Sequence, residues 1–347
     1  ARQGVTEISG NLSIESVLDA SEAATSLECL SNLVKVHGDV RILKNNVMTN
    51  LAGLENLSAF GGTLLISSNR NLLGIQNLIS LVSIGSSLTI SNHESLREIN
   101  DFESLLSLGQ AISLTNNPRL FNISGFDKLS SIPTHLLVEG NRSLEQINGF
   151  SNLSSIGTDF SFNNNALKNL DAFDKLSSVG KGLYINNHEA LTSIRGLNHI
   201  TSVGTSIEIK RNASLSSLEG LNQVSNLPEF LIVWDNISIE NLDGLDEIRQ
   251  VGSLFVSHNK SLKRMNLLNL TRIDYQLIMS GNTLLENLNG FGSLNFVGYG
   301  LEITENINLS DFCGLQPLIK NDFNGEYSVL DNASNPSKPD ILEGNCD

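Results

Sequence analysis

Residues 136–157 read LLVEGNRSLEQINGFSNLSSIG, and the same pattern of apolar and polar residues starts again at Phe160. Two apolar residues separated by one position come first, an asparagine follows three positions later (Leu136-x-Val138-x-x-Asn141), and large apolar residues then occupy every third position. Similar turns precede and follow this one at a nearly constant spacing. Self-similarity at such a period is typical of a solenoid, in which each repeat forms one coil stacked on its neighbours.

One asparagine per repeat marks the coils, and a histidine takes its place twice. The twelve positions are Asn45, Asn69, His93, Asn117, Asn141, Asn165, His188, Asn212, Asn236, Asn259, Asn282 and Asn306. An asparagine side chain both accepts and donates hydrogen bonds, so it can satisfy the polar backbone groups of a buried turn. We therefore predict a structural ladder in a mainly β fold, a right-handed parallel β-helix of about 12–13 coils with a cap at each end.

The extent of the repeats divides the chain into three parts. We predict an N-terminal cap with a first imperfect coil in residues 1–37, one continuous solenoid in residues 38–312, and a C-terminal cap in residues 313–347. Single deletions, after Asn165 and after Met265, account for shorter steps between rungs without disturbing the stacked strands.

Both caps have recognisable patterns. Apolar residues at helical spacing between Glu15 and Glu28 predict a short amphipathic helix over the first coil. In the C-terminal cap we predict a short helix over Cys313–Ile319 and a last strand at Tyr327–Leu330, followed by a partly irregular segment, residues 331–347, that contains two prolines.

Four phenylalanines occupy one position in consecutive turns: Phe102, Phe126, Phe150 and Phe173. Such a column could be a binding stripe, but inside a coil of this size it favours an aromatic stack within the core.

Composition excludes several classes of partner. The net charge of −15 argues against nucleic acid and anionic membrane surfaces, because both require basic patches. No run of about 18 apolar residues occurs, so we expect no membrane insertion. The first residues, Ala1–Gly4, lack the apolar core of a signal peptide, and we expect either a mature secreted form or a cytosolic protein.

The three cysteines favour the secreted form. Stacked strands about 4.8 Å apart place the first and last coils roughly 50 Å from each other, so Cys29 cannot bond Cys313 or Cys346 of the same chain. We favour a bridge between Cys313 and Cys346, which would indicate an oxidising compartment. The alternative is three buried thiols.

The repeat Leu-x-Ile-x-x-Asn-x-x-Leu-x-x-Ile-x-Gly-Leu-x-x-Leu-x-x-Ile-Gly resembles that of the receptor L-domain family, the leucine-rich-repeat-like β-helices of insulin- and epidermal-growth-factor-type receptor ectodomains and of fungal cell-wall proteins. The resemblance covers residues 38–312. It implies extracellular recognition, adhesion, or a role in a wall or matrix. The cysteine-rich modules of the receptors and the anchor tail of the wall proteins are absent from this sequence.

The outward positions of the strands are the place to look for a partner site. In the N-terminal coils they carry mainly small polar residues, whereas five residues further along predict a contiguous apolar patch: Tyr184, Ile232, Trp234, Phe255 and Ile278. Exposed apolar patches mark interaction sites, and tryptophan and tyrosine are frequent anchors. The alternative is that a loop or the C-terminal cap covers this face.

Asn-x-Ser/Thr triplets occur at four rung positions, where the side chain should be buried, and at seven others. We predict those seven as candidate glycan acceptors: Asn11, Asn56, Asn122, Asn152, Asn269, Asn308 and Asn332.

Catalysis is not expected. Outward carboxylates such as Glu302 and Glu305 do not converge from adjacent coils, and His93 and His188 lie four coils, roughly 19 Å, apart. We predict no cofactor and no metal site. The function expected is binding of a protein or glycan at a cell surface or matrix. The alternatives are a self-associating structural subunit of a wall, sheath or filament, and ice or crystalline-glycan binding through the row Ser67, Ser91 and Thr115.

Overall fold

The computed structural model describes residues 4–16 and 26–346, which fall into two compact units. One unit contains the chain up to Leu167 together with Ala172–Leu176, and the other contains Lys168–Asp171 and the chain from Ser177 onward. Both are built from short parallel strands that recur once per repeat, so the predicted mainly β solenoid is confirmed. One continuous solenoid domain over residues 38–312 stays a prediction.

Among the described residues, each unit contains seven parallel strands of four or more residues, and we call their outward side the strand face. In the first unit they are Leu12–Glu15, Val40–Leu43, Leu64–Ser67, Leu88–Ser91, Ile112–Thr115, Leu136–Glu139 and Phe160–Asn163. In the second they are Leu183–Asn186, Ile207–Lys210, Asn226–Trp234, Gln250–Ser257, Gln276–Ser280, Gly300–Thr304 and Glu326–Leu330.

Two-residue strands pair along the other sides of the coils. In the first unit they are Glu7–Ile8, Lys35–Val36, Ala59–Phe60, Ser83–Ile84, Glu98–Ile99, Ser107–Leu108, Asn122–Ile123, Ser131–Ile132, Gln146–Ile147 and Ser155–Ile156. In the second they are Ser178–Val179, Ser202–Val203, Arg272–Ile273 and Phe296–Val297. The 3-10 turns are Glu28–Leu30, Asp171–Phe173, Arg195–Leu197, Asn289–Phe291 and Cys313–Leu315, and the α-helices are Gln316–Lys320 and Lys338–Glu343.

Side chains alternate along the longer strands as the sequence pattern predicts. Leu136 and Val138 are fully buried, while Leu137 and Glu139 between and after them are half-buried on the outward side. The predicted aromatic stack is also inside the core. The ring centroids of Phe102 and Phe126 are 4.8 Å apart, those of Phe126 and Phe150 4.7 Å, and those of Phe150 and Phe173 5.7 Å.

The predicted asparagine ladder is present in both units. The backbone N–H of Asn117 donates to Oδ1 of Asn141 at 3.0 Å, and Nδ2 of Asn141 donates to the carbonyl of Leu114 at 2.9 Å. In the second unit the N–H of Asn212 donates to Oδ1 of Asn236 at 3.0 Å, with the same arrangement in later coils. Each rung therefore satisfies backbone groups of two turns that water does not reach.

His93 performs both tasks of an asparagine. Its Nδ1 accepts the backbone N–H of Asn69 at 3.2 Å, and its Nε2 lies 3.1 Å from the carbonyl oxygen of Ile66. The ring is fully buried, and this burial lowers the pKa of His93. A neutral ring with its proton on Nε2 fits both partners. His188 is also fully buried, and its backbone N–H donates to Oδ1 of Asn212 at 3.1 Å.

The ladder continues one rung beyond the predicted solenoid. Oδ1 of Asn332 accepts the N–H of Asn306 at 3.1 Å, and its Nδ2 donates to the carbonyl of Ile303 at 2.8 Å. The step from Asn306 is 26 residues, and this insertion hides the rung from a search at the regular period. Asn332, which the sequence suggested as a glycan acceptor, thus has its side chain engaged in the scaffold.

The residue before each rung adopts left-handed backbone, a feature not predicted from the sequence. The φ angle is +55° at Asn116, +70° at Gly140, +53° at Asn164 and +60° at His258. Asparagine, aspartate and glycine tolerate this conformation best, and they occupy many of these positions. The strand therefore turns sharply inward just before the ladder.

A third deletion, also missed, lies in the second unit. Asn226 pairs with Gln250, whereas Phe230 pairs with Ser253, so the offset between paired residue numbers becomes shorter by one along this strand. The residue is lost between these pairs, where Pro228 and Glu229 face the single residue Gly252.

The caps agree in part with expectation. The helical residues after Cys313 and the last strand, Glu326–Leu330, lie where predicted. The segment after residue 331 was expected to be partly irregular, and it contains one regular element, the helix Lys338–Glu343. Ser337 caps this helix and Pro339 lies in its first turn, where a missing N–H carries no penalty. Most of the predicted N-terminal helix lies outside the described residues, and Glu28–Leu30 forms a 3-10 turn.

Candidate functional site

Three apolar residues form a continuous row on the strand face of the second unit. Ile232 pairs with Phe255, and Phe255 pairs with Ile278, on three adjacent parallel strands. All three side chains are half-buried, because each packs against its neighbours in the row and leaves its outer surface open. We call these three residues the apolar row.

Carboxylates stand at both ends of the apolar row. Glu208 pairs with Ile232 on one side, and Glu302 pairs with Ile278 on the other. Tyr184 pairs with Glu208, so it lies two strands from Ile232 with a charged residue between them. The expectation of one contiguous patch that includes Tyr184 was therefore wrong in this respect, since the register interposes Glu208.

Phe230 extends the apolar row, and sequence reasoning missed it. Its side chain is 40 % exposed, and its ring centroid lies 6.1 Å from that of Phe255. The repeat places residue 230 before the strand proper, but the irregular register after Leu227 extends the strand through Phe230. The shortened step from Asn236 to Asn259 was the available signal, because it shows that the facing coil lacks one residue.

Trp234 lies two positions after Ile232 on the same strand, beside the apolar row. The guanidinium carbon of Arg211 is 4.4 Å from its ring centroid, a cation–π contact, and the His258 ring meets it edge-on at 6.1 Å. Nε of Arg211 is also 3.8 Å from a carboxylate oxygen of Asp235, and Lys210 forms an ion pair with Glu208. The indole is thus held in place, and the nearby cations already have anionic partners.

In the first unit the strand face carries the half-buried side chains of Leu65 and Leu137, and several of its polar side chains bond one another. The hydroxyl of Ser91 donates to that of Ser67 at 2.9 Å, and Nδ2 of Asn163 donates to Glu139 at 3.0 Å. Hydroxyls that bond one another present no regular row of free donors, which is unfavourable for lattice matching to ice.

The cysteines lie as the sequence suggested. Cys313 and Cys346 form a disulfide, and Cys29 is an exposed free thiol. Among the described residues, Asp311 joins the two bonded cysteines as a group with metal-ligand atoms close together. Sulfurs joined in a disulfide do not act as thiolate ligands, so this group offers no metal site in the oxidised protein.

The six candidate glycan acceptors other than Asn332 lie away from the outward positions of the longer strands. Asn11, Asn56, Asn152, Asn269 and Asn308 are exposed, and Asn122 is half-buried. Four of them use Nδ2 to donate to a backbone carbonyl of the preceding coil: Asn56 to Ser31, Asn152 to Asp127, Asn269 to Asp246 and Asn308 to Thr283.

Neither a family model nor a curated protein sequence matches the chain. Among solved structures, the chain is similar to the functional domain of InlJ from Listeria monocytogenes, which includes a cysteine ladder. The two sequences are 15% identical, the match covers 87% of this chain and 75% of that one, and the TM-score is 0.28. It is also similar to a leucine-rich repeat protein from Bacteroides ovatus, with 14% identity, coverage of 94% and 96%, and a TM-score of 0.20.

At these TM-scores the two structures carry no argument about what this chain binds, and membership of the receptor L-domain family stays a prediction. Within the part of the chain that the structure describes, no helix is long and apolar enough to cross a bilayer.

Proposed function

We propose that the protein is a non-enzymatic extracellular recognition module that binds a protein partner through the apolar row and Trp234. The observation that carries the proposal is the register of Ile232, Phe255 and Ile278 on three adjacent strands. The row stays open on its outer side, and the exposed ring of Phe230 extends it. A rigid apolar strip beside an anchored tryptophan is the composition of an interface core.

The charged residues at the ends of the apolar row indicate what charge the partner's surface should carry. Glu208, which is paired with Lys210, ends the row on one side, and Glu302 ends it on the other. The chain as a whole carries a net charge of −15. A complementary surface would present apolar side chains to the row and basic groups around it, chiefly at the Glu302 end. We therefore propose a protein with a basic rim around an apolar patch, rather than an acidic one. A glycan partner is the alternative outcome of the test.

The disulfide between Cys313 and Cys346 supports the extracellular part of the proposal, because such bonds persist in oxidising compartments.

The proposal is tested with the double variant Trp234→Ser/Phe255→Ser. The partner is first captured from source-cell surface extract and purified, and its affinity is then measured by calorimetry. Each lost anchor should cost about 2 kcal/mol, so we expect the double variant to bind roughly 1,000-fold more weakly than the wild type. The matched control is Phe121→Ser in the first unit, an aromatic side chain that is 48 % exposed. It should bind within about twofold of the wild type. Equal affinities of wild type and double variant, with unchanged circular dichroism, would reject the proposal.

A second candidate is a structural subunit that associates with itself. It is favoured by the exposed thiol of Cys29 together with Leu12–Glu15, the outermost longer strand of the first unit among the described residues. Light scattering of native material with and without reductant distinguishes the two. A polymer that dissociates on reduction or in Cys29→Ser would favour the structural role.

A further inference from the structure

The second unit contains a cleft of about 440 Å³ between its last regular coil and the C-terminal cap. Phe296 and Tyr299 line one side, and the segment from Asn321 to Glu326 lines the other. The cleft lies apart from the apolar row and has no part in the proposed partner surface.

Both aromatic rings end a stack that begins one coil earlier. The Tyr275 ring packs on Tyr299 with centroids 5.6 Å apart and planes 11° from parallel. The guanidinium of Arg272 covers Phe296, with its carbon 3.8 Å from the ring centroid. The preceding coil therefore supports both rings from the same side.

The next coil does not continue either stack. Gly300 pairs with Glu326, which places Gly325 opposite Tyr299. A side chain at Gly325 is excluded, because a Cβ there would lie 2.6 Å from the Phe323 ring and 2.7 Å from the carbonyl oxygen of Tyr299. Tyr299 is consequently 64 % exposed, and the cleft opens where a third ring would stand.

The far wall of the cleft is held in place. Nζ of Lys338 donates to the carbonyls of Phe323 and Gly325, both at 3.2 Å, and Nδ2 of Asn321 donates to the carbonyl of Asn295 at 2.9 Å. The N–H of Glu326 donates to the carbonyl of Tyr299 at 2.9 Å. The cleft is thus formed before any ligand arrives, as in most small-ligand sites.

The rim of the cleft is rich in acceptors. Asp322 and Glu326 bring carboxylates, and neither forms an ion pair within the described residues. The nearby cation Lys338 is already bonded to carbonyls and lies 4.6 Å from the Phe323 ring centroid. A ligand that fits must stack on flat rings and donate hydrogen bonds, and it must carry no negative charge.

A sugar ring has these properties, since its C–H face packs on aromatic rings while its hydroxyl groups donate at its edge. We propose that this cleft is a saccharide-binding site, with Tyr299 and Phe296 as the stacking surface and Asp322 as an acceptor for hydroxyl groups. The ligand is a neutral or amino sugar, not a uronic or sulfated one.

The full chain is tested on an array of neutral, amino and anionic oligosaccharides, and the strongest ligand is then titrated by calorimetry. We expect binding to neutral or amino sugars. Tyr299→Ala should weaken it about tenfold or more, because the stacking surface is lost. Phe121→Ala, an equally sized change on an exposed ring elsewhere, should leave the affinity unchanged. Trp234→Ser/Phe255→Ser should also leave it unchanged, so this site and the partner surface can fail independently.

Two variants at Asp322 separate a hydroxyl acceptor from a charge partner. Asp322 has φ of +55°, a conformation that asparagine and glycine both accept. For a neutral sugar, Asp322→Asn should bind within about threefold of the wild type, because the amide oxygen still accepts, whereas Asp322→Gly should lose affinity. For an amino sugar both variants should lose affinity. No binding to neutral or amino sugars, binding of anionic sugars alone, or full binding by Tyr299→Ala with an unchanged melting temperature would each overturn the proposal.

Discussion

Asn117 and His93 make equivalent hydrogen bonds to the backbone one coil apart, although their side chains differ. Each accepts an N–H from the rung before it and donates to a carbonyl 27 residues earlier. Spacing alone was sufficient to predict His93 as an asparagine substitute, because a fixed period identifies the rung position whichever residue type occupies it. Asn332 shows the limit of this reasoning, since an insertion in the preceding coil moved it out of the period.

His93 should make the fold sensitive to acid. Burial lowers its pKa in the folded state below the ordinary value of 6.5, so the unfolded chain takes up a proton first. Its contribution to stability is therefore complete above pH 6.5 and falls as the pH drops from there toward the lowered pKa. We expect His93→Asn to keep the ladder and to lose less stability between pH 7.5 and pH 5 than the wild type does. Urea unfolding at the two pH values measures this. His135→Asn, at a half-buried position, is the control, and an identical pH response of His93→Asn and the wild type would contradict the explanation.

Asp101 should have the opposite effect on the pH dependence of stability, because its ionisation destabilises the fold as the pH rises. It stands one coil before Gly125, in a column that continues with Gly149, and its side chain is buried with no hydrogen-bond partner at Oδ2. Burial, with smaller effects from Glu98 and Glu103, raises the pKa of Asp101 to about 6.

Because this folded-state pKa lies above the unfolded value of 3.8, stability is lost as the pH rises through the interval from about 4 to about 6. Asp101→Asn should therefore raise the free energy of unfolding at pH 7.5 by on the order of 1 kcal/mol and have little effect at pH 4. Asp171→Asn, an exposed control, should change neither value. A gain that persists undiminished at pH 4 would show that ionisation is not the cause.

At the scale of strands and turns, the alternation of apolar residues predicted which side chains face inward, and the structure agrees strand by strand. Two features were not predicted from the sequence because they depend on backbone geometry. The left-handed residue before each rung is occupied by types as different as Lys44, Asn116 and Glu305, so no single residue type identifies it. Phe230 lies where the strand register shifts, opposite a coil that lacks one residue beside Gly252.

The rungs should be the costliest polar positions to remove. Asn117→Ala leaves the N–H of His93 and the carbonyl of Ile90 without partners in a fully buried site. We expect a loss of about 2–4 kcal/mol in the free energy of unfolding, measured by urea titration. Asn308→Ala removes one bond from an exposed side chain to Thr283 and should cost less than about 1 kcal/mol. Equal losses in the two variants would mean that the ladder does not hold the coils.

At the scale of the whole molecule, the regular repeats allow the fold to be predicted from the sequence but say little about which residues form the partner surface. The mainly β solenoid, the aromatic stack and the pairing of Cys313 with Cys346 were all predictable, because each depends on a period or on the distance between coils. The partner surface was predictable only in outline. The 24-residue spacing of Tyr184, Glu208 and Ile232 already implied that Glu208 separates the other two, whereas the contact of Phe230 with the row depends on an irregular register.

The central claim is that the asparagine ladder holds the coils together while the apolar row on the strand face binds the partner. Hydrogen exchange of the protein with and without its purified partner tests this claim most directly. Binding should slow amide exchange in Leu231–Trp234, Leu254–Ser257 and Leu277–Ser280 of the second unit. Exchange in the first unit's strands, such as Leu64–Ser67, should stay unchanged. Protection confined to the first unit, or to the turns that carry the rung asparagines, would contradict the assignment of the apolar row as the recognition surface.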